Sequence, residues 1–419
     1  MDSVLQYQEH SHEQEAESKV RQTTCCIVGA GPAGAFLALL LARQGIAVTL
    51  LEAHKDFERE FRGDTIHPAI LEEMDKLGLA ENLLRLPHTR AYSVQFHTEG
   101  TQLTFDDFRR LKSPYPYIMK LSQVQFLNFL VAEARQYPHF QLIMGARVEH
   151  LIEEEGVIRG VRYRSEHGEV EVHAELTIGA DGRFSWTRRL AEMAPEKLSP
   201  PLDFLWFHLP RKEQDPREEA VELHFAPGMF IILLDRGEKW QVGCAISKGT
   251  YQQVRQAGIE ELQSSIAACV PWLADRVTHL QSWKQASLLS IESSRLKRWH
   301  KPGLLLIGDA AHVMSPIGSV GINLAIQDAI AAANLLTMPL KGQCLTENDL
   351  ARVQRRRELR TLISQTWVGL IQRQIVSALD ARRQFRLPPV ARFLLRVPLI
   401  SSIPTRITAL GGWQERIRL

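Results

Sequence analysis

The chain of 419 residues is 45% hydrophobic and 23% charged, and its formal net charge is +2. Its length allows two or three lobes, its composition is ordinary for a globular protein, and its near-neutral charge gives no indication of nucleic acid or an acidic partner. Five cysteines without metal-ligand spacing predict reduced cytosolic thiols and no metal site, and no apolar run is long enough to span a membrane.

Residues 1–22 are the first predicted segment. They are rich in Glu, Gln and His and lack the apolar core of a signal peptide. We therefore expect a disordered tail there and a cytoplasmic protein.

A compact βαβ unit is predicted next. Residues 23–28 read as a buried strand, residues 29–34 as a glycine-rich turn, residues 35–44 as a helix that Gly45 ends, and residues 46–51 as a second strand.

Later segments alternate between helical and extended patterns. Helices are predicted over 69–77 and 122–137, and strands over 140–149, 157–164, 170–172 and 176–178. From about residue 200 to 289 strand patterns dominate, at 204–209, 220–225, 229–234 and 240–246, followed by a helix over 259–270. A strand over 304–307 and a long helix over 323–337 come last.

The turn Gly29-Ala30-Gly31-Pro32-Ala33-Gly34 has the spacing of a dinucleotide-binding fingerprint between a strand and a helix. Gly29 permits the tight turn, Gly31 lets the backbone approach a pyrophosphate, and Gly34 allows the helix to pack on the strand. The amides at the helix N-terminus attract phosphates. Glu52, after the next strand, is expected to accept hydrogen bonds from ribose hydroxyls, and its charge disfavours a 2′-phosphate.

Two later motifs indicate which dinucleotide is bound. One is Gly179-Ala180-Asp181-Gly182-Arg183, followed by Ser185 and Arg188. The other is Gly308-Asp309-Ala310-Ala311-His312, followed by Pro316, Gly318, Gly321 and Asn323. With these three elements in this order, residues 23–336 resemble the FAD-dependent aromatic hydroxylases, the family of para-hydroxybenzoate hydroxylase and other group A flavoprotein monooxygenases.

The resemblance implies an α/β fold. It consists of a Rossmann-type FAD-binding domain at 23–199 and 290–340, an inserted antiparallel-sheet substrate lobe at 200–289 to which part of 88–120 contributes, and an Arg-rich helical C-terminal extension at 341–419.

The resemblance also implies contacts to non-covalently bound FAD. These are Arg62 and Gln123 near the diphosphate and ribityl, Asp181 and Arg183 for FAD and pyridine nucleotide, Asp309 on the ribityl, Pro316 against the isoalloxazine, and the amides of Gly321, Ile322 and Asn323 at the pyrimidine edge. The family often has two consecutive glycines after the proline, whereas this chain has Gly318-Ser319-Val320-Gly321. That departure puts flavin mobility in doubt, but not FAD binding.

Several single residues allow a functional and a structural interpretation. For His312, His67, His208 and His224 we favour structural roles. Phe225, Phe230 and Trp240 are expected to line the substrate pocket or to fill the core, and Tyr115 and Tyr117 are weaker pocket candidates. No catalytic residue or base is identified, because in this chemistry the flavin carries the difficult step.

Residues 352–419 contain 14 arginines, no lysine and three acidic residues. Three interpretations stay open: docking onto the main body or a second subunit as a homodimer, contact with an anionic membrane surface, and, least favoured, nucleic acid.

The sequence thus predicts an NADPH- or NADH-dependent monooxygenase, a hydroxylase or epoxidase. It would use O2 on an aromatic or polyketide-like small molecule through a flavin C4a-hydroperoxide. The alternatives are a quinone-pathway hydroxylase at the membrane surface, a flavin-dependent reductase or saturase, and a non-catalytic flavin-binding sensor. A halogenase is disfavoured because the sequence has no Trp-x-Trp-x-Ile-Pro segment.

Overall fold

The computed structural model describes residues 19–58, 65–98, 101–166, 168–198, 201–216, 219–316, 320–379 and 414–418. Arg62, Gly318, Ser319 and residues 1–18 and 380–413 lie outside these ranges, so what we expect of them stays a prediction.

The strands are β1 Val20–Val28, β2 Val48–Glu52, β3 Thr65–Ile66, β4 Thr89–Ala91, β5 Ser93–Thr98, β6 Thr101–Asp107, β7 Ile118–Lys120, β8 Phe140–Met144, β9 Arg147–Glu154, β10 Val157–Ser165, β11 Gly168–Gly179, β12 Glu196–Leu198, β13 Leu202–Pro210, β14 Ala220–Ala226, β15 Met229–Asp235, β16 Lys239–Ser247, β17 Ser287–Ser290, β18 Ser293–Arg295, β19 His300–Lys301, β20 Leu304–Leu306 and β21 His312–Val313. The helices are α1 Pro32–Arg43, α2 Pro68–Lys76, α3 Ala80–Leu84, α4 Gln123–Ala134, α5 Trp186–Leu190, α6 Tyr251–Ala257, α7 Ile259–Cys269, α8 Gly321–Lys341 and α9 Glu347–Leu379.

An eight-stranded sheet carries the glycine turn. Its strand order is β19-β20-β11-β1-β2-β8, with β10 and β9 added beside β11, and β20, β11, β1, β2 and β8 run parallel. Strands in a parallel sheet are buried on both faces, which explains the uninterrupted apolar run in β1. Helix α1 is buried from Ala33 to Ala42 because it packs against β1, β2, α4 and α8.

A seven-stranded sheet forms the second lobe, in the order β17-β13-β16-β15-β14-β5-β6. All its pairs are antiparallel except β14 with β5. One face, which includes Leu205 and Phe207, packs under α7. The opposite face, which includes Phe225 and Phe230, packs against Val320 and α9.

Helix α9 and the described C-terminal residues pack against the lobe that contains the eight-stranded sheet. Helix α9 packs along α8 and also reaches β15, β16 and β19. At the far end of the chain, Glu415 is fully buried and accepts hydrogen bonds from Arg356 and Arg360 of α9. The amide of Ile417 donates to Glu73 of α2. Four arginines of α9 are paired with carboxylates of the same chain, namely Arg352, Arg356, Arg357 and Arg360.

The predicted fold class is confirmed: the chain is α/β, with a Rossmann-type sheet, a second sheet and a C-terminal helix. Three details of the prediction were wrong. Residues 20–22 are not tail but belong to β1, because Val20 pairs with Glu171 of β11. The strand predicted over 140–149 is two strands, since β8 pairs with β2 whereas β9 pairs with β10. The segments 170–172 and 176–178 form one strand, β11.

Candidate functional site

The glycine turn between β1 and α1 is tight and open on one side. Gly29 has φ +100°, and a Cβ atom there would lie 2.6 Å from the Ala180 carbonyl oxygen. A Cβ at Gly34 would lie 1.9 Å from the Gly29 oxygen, so α1 can approach the turn only with glycine there. A Cβ at Gly31 would meet nothing closer than 4.0 Å. The turn thus leaves open space at Gly31, where a phosphate group would approach.

The N-terminus of α1 is the anion-binding part of this turn. Gly31 is the N-cap residue, no side chain caps the helix, and Pro32 occupies its first turn before Ala33. Uncapped first-turn amides and the helix dipole favour an anionic ligand.

Glu52 fixes the other side of the turn. One carboxylate oxygen accepts from the Ala30 amide at 3.0 Å, and the other accepts from the His54 amide at 3.1 Å and contacts its Nδ1 at 2.6 Å. These contacts fix the carboxylate beside the turn. Glu52 therefore has a structural role that the sequence did not reveal.

The three sequence motifs meet at one edge of the sheet. Strands β1, β11 and β20 are parallel neighbours, and the motifs follow their carboxyl ends. A Cβ at Gly308 would lie 3.3 Å from the Cβ of Ala33, which puts the Gly308-Asp309 turn directly beside α1. Asp309 itself is half-buried at this edge. Ligands of open α/β sheets bind outside the carboxyl ends of the strands, and this arrangement has that geometry.

The N-terminus of α8 provides a second group of uncapped amides. Val320 is its N-cap residue without a side-chain hydrogen bond, and Gly321 and Ile322 are half-buried. The Asn323 side chain is buried, accepts from the His67 amide at 2.9 Å and donates to the Thr65 carbonyl at 3.3 Å. Asn323 therefore joins the start of α8 to β3 and the start of α2.

Asp181 and Arg183 have different local partners. The Asp181 carboxylate accepts from the Ser185 hydroxyl at 2.5 Å and from the Thr187 amide at 2.8 Å, so it stabilises the start of α5. The Arg183 guanidinium lies 4.9 Å from the ring centre of Phe184, which is 56% exposed. Arg183 is thus at the surface beside the cofactor edge.

Arg188 connects the second and third motifs. It is buried, and it donates to the Ala310 carbonyl at 2.8 Å and to the Arg183 carbonyl at 2.9 Å. The sequence motif includes Arg188, but only the structure shows that its guanidinium holds the Asp309 turn.

A buried ionic cluster supports the Asp309 turn from behind. Asp328 of α8 accepts from the Gly308 amide at 3.0 Å, contacts His312 Nε2 at 2.6 Å and accepts from Arg357 Nε of α9 at 2.7 Å. Burial opposes ionisation of Asp328, but His312 and Arg357 outweigh it and hold its pKa below the usual value. His312, whose ring also packs on Trp299, therefore has the structural role we favoured.

Helix α9 also holds the segment that leads to Pro316. Gln365 donates to the Val313 carbonyl at 3.2 Å, and Gln372 donates to the Ser315 hydroxyl at 2.7 Å. Pro316 is half-buried at the end of this segment. No local pattern predicts these contacts, because each joins residues far apart in the chain.

The remaining candidates lie in varied surroundings. Gln123 is the first residue of α4, and the N-cap residue before it, Ser122, makes no side-chain capping hydrogen bond. Arg62 lies outside the described residues. Trp240 is core, since its indole donates to Asp215 on the face covered by α7. The Tyr115 hydroxyl donates a hydrogen bond to Asp75. Tyr117 is buried in the hydrophobic core around α1 and the parallel sheet.

The site fits an extended dinucleotide with a phosphate at α1 and an electron-rich ring at α8. Its fit depends on the open space at Gly31, the two uncapped helix N-termini and the adjacent Asp309. A family model described as an FAD binding domain matches residues 22–361. The chain belongs to this family. It is therefore a flavoprotein that binds FAD, as the sequence motifs predicted.

Known relatives of this flavoprotein include monooxygenases. It is 35% identical to 6-methylpretetramide 4-monooxygenase from Streptomyces rimosus over 399 residues, which cover 94% of each chain. It is 24% identical to para-nitrophenol 4-monooxygenase from Pseudomonas sp. strain WBC-3, over 79% of this chain and 82% of the relative. The flavoprotein is an oxidoreductase, an FAD-dependent monooxygenase, and the predicted resemblance to aromatic hydroxylases is confirmed.

Solved structures show the same fold. PqsL from Pseudomonas aeruginosa, described as a probable FAD-dependent monooxygenase, superposes with a TM-score of 0.74 at 21% identity, covering 87% of this chain and 98% of that one.

The helices of the described residues were also compared with what a membrane span requires, and none combines the necessary length with the necessary apolar character.

Proposed function

We propose that this flavoprotein hydroxylates or epoxidises an aromatic, polyketide-like small molecule at the expense of NADPH or NADH and O2. The observation that carries the proposal is its similarity, over 94% of both chains, to a monooxygenase whose name gives 6-methylpretetramide as its substrate. A second relative is named for para-nitrophenol, another aromatic compound.

The aromatic face of the seven-stranded sheet supports this substrate class. Phe96 stacks on Phe225 with ring centroids 5.5 Å apart, and the centroids of Phe225 and Phe230 are 4.6 Å apart. This face also packs against Val320, the N-cap residue of α8. A flat apolar substrate between these rings and the start of α8 would gain apolar burial and ring contacts.

The protein's own part in the reaction is to position and to exclude water. FAD held between the start of α1 and the start of α8 would supply the redox chemistry, with NADPH or NADH as the reductant and O2 as the source of oxygen. The amides of Gly321 and Ile322 would stabilise negative charge at the pyrimidine edge through the α8 dipole. Val320, the N-cap residue of α8, packs against the aromatic face, and this supports a substrate position close to that edge.

The test is consumption of NADPH or NADH by the FAD-loaded protein with a panel of phenolic and polycyclic compounds, under isotopically labelled O2. We expect one compound to accelerate consumption and to gain one labelled oxygen atom, detected by mass spectrometry. No flavin reduction by either nucleotide with any compound would favour the saturase or sensor alternatives.

A pair of leucine variants tests the substrate face. Leu223 of β14 is half-buried in the aromatic face, two residues before Phe225, whereas Leu288 of β17 is 40% exposed. Leu223→Ala should raise the KM for the accepted substrate several-fold, and Leu288→Ala should leave it unchanged. Equal KM values for the two variants would contradict the location of the substrate.

A further inference from the structure

Strands β5 and β14 form the one parallel pair of the seven-stranded sheet, and this pair joins two distant segments of the chain. His224 is the register partner of His97, and Glu222 is the partner of Gln95. Side chains two residues apart on a strand share a face. Glu222, His224 and His97 therefore lie together, on the face opposite the stacked rings of Phe96 and Phe225.

These three side chains are close enough to share one ligand. Their nearest ligating atoms all lie within 4.8 Å of one another. His224 Nε2 is 2.9 Å from a Glu222 oxygen, and the rings of His97 and His224 are parallel with centroids 4.3 Å apart. Within the described ranges, no other group of three His, Cys, Asp or Glu residues comes this close.

The burial of the carboxylate gives this cluster its chemical character. Glu222 is 2% exposed and His224 is 5% exposed, while His97 is half-buried. An ionised carboxylate out of water requires a compensating cation or strong hydrogen bonds. The His224 imidazole contacts the Glu222 carboxylate at 2.9 Å, and a cation held by all three side chains would satisfy the charge more completely.

The Lys120 ammonium lies near Glu222 and limits how tightly a metal ion can bind. Lys120 of β7 is also buried, and burial lowers the pKa of its ammonium to about 8 against the opposing influence of Asp235 and Glu222. A metal ion at Glu222 would repel the protonated ammonium.

We propose that His97, Glu222 and His224 form a binding site for a divalent transition-metal ion, with Zn2+ as the preferred probe. Two imidazoles and one carboxylate are a ligand set that suits Zn2+, Fe2+ and related ions rather than Ca2+ or Mg2+. Tetrahedral zinc ligands lie roughly 3.4 Å apart, so the widest pair must approach by at most about 1.4 Å. Rotation of the half-buried His97 ring out of the stack supplies this movement, since that terminal torsion is broad.

The site is structural rather than part of the flavin chemistry. It lies on the face of the sheet away from Val320 and the start of α8. A bound ion would fasten β5, from the chain segment before the lobe, to β14 within it. Metal ligands from two distant segments explain why the sequence, read for local ligand spacing, predicted no metal site.

The experiment uses the FAD-loaded protein, freed of metal with a chelator and then titrated with Zn2+ by calorimetry. Co2+ serves as a spectroscopic probe, through its ligand-field absorption at wavelengths beyond the flavin bands. His97→Ala and Glu222→Gln are the test variants. His150→Ala is the control, because His150 is an exposed histidine of β9 outside the cluster.

We expect one saturable Zn2+ site per chain, tetrahedral Co2+ absorption, and a Kd weakened at least about tenfold in both test variants but not in the control, because a lost ligand costs at least as much as a lost supporting contact. Circular dichroism and FAD content confirm that the variants are folded, and His97→Ala, at a half-buried position, remains informative if Glu222→Gln does not fold. Absence of a saturable site for Zn2+ and Co2+, or binding unchanged in the test variants, overturns the proposal and leaves only a stacked histidine pair.

Discussion

Replacing Arg357 with methionine tests whether the buried ionic cluster sets the flavin site. Met keeps most of the side-chain length but removes the guanidinium that donates to Asp328 at 2.7 Å. Arg357 and Asp328 are both fully buried, so the substitution leaves a buried carboxylate with only His312 and the Gly308 amide. Breaking such a pair costs about 3–5 kcal/mol, and the remaining contacts to Asp328 put our expectation near 3 kcal/mol in unfolding free energy.

The effect should reach the cofactor because Asp328 holds the Gly308 amide. We expect FAD affinity to fall about tenfold, on the order of 1.4 kcal/mol, as the Asp309 turn loosens. Urea unfolding of the apoprotein, followed by circular dichroism, measures the first quantity, and flavin fluorescence titration measures the second. Arg355→Met is the matched control, because Arg355 lies two residues away on the exposed side of α9.

The same variant has a predicted pH dependence. A carboxylate whose folded-state pKa is depressed contributes stability above its unfolded pKa, and that stability is lost as pH falls through the folded pKa. Loss of Arg357 removes one of the two groups that depress the pKa of Asp328. The variant should therefore begin to lose stability at a higher pH than wild type. Identical urea midpoints, FAD affinities and acid transitions for the 355 and 357 variants would refute this reasoning.

Three further predictions concern the cofactor edge and the C-terminus. Gly31→Ala should fold normally, because its Cβ would meet nothing closer than 4.0 Å, but should bind FAD at least about tenfold more weakly. Gly34→Ala, whose Cβ would lie 1.9 Å from the Gly29 oxygen, should fail to fold, as circular dichroism would show. Glu415→Gln removes the charge that pairs with two arginines of α9 and should lower the melting temperature in a thermal scan. An unchanged melting temperature would argue against a stabilising role for the C-terminal residues. Arg183→Ala should slow flavin reduction by NADPH or NADH in anaerobic stopped-flow while FAD content is retained, and a normal rate would reject a role for Arg183 in guiding the nicotinamide nucleotide.

The local features of the flavin site could be predicted from the sequence. The glycine turn lies between a strand and a helix that are adjacent in the chain, so Gly29, Gly31 and Gly34 reveal the backbone geometry by their spacing alone. Glu52 follows at the end of the next strand for the same reason. The prediction went wrong where a strand changed partners, at residues 140–149, because pairing is decided by distant strands.

The contacts that support the site could not be predicted in this way. Arg357 stands in a run of arginines and Asp328 in an apolar helix, and neither has a local pattern that marks it as a partner of the other. The same holds for His97 and His224, which meet only because β5 adds to β14 in parallel. The flavin motifs could be recognised from the chain alone, since they depend on backbone conformation within a few residues. The pairing of the buried charges is set by the packed fold, because desolvation and charge pairing depend on neighbours that chain order does not specify.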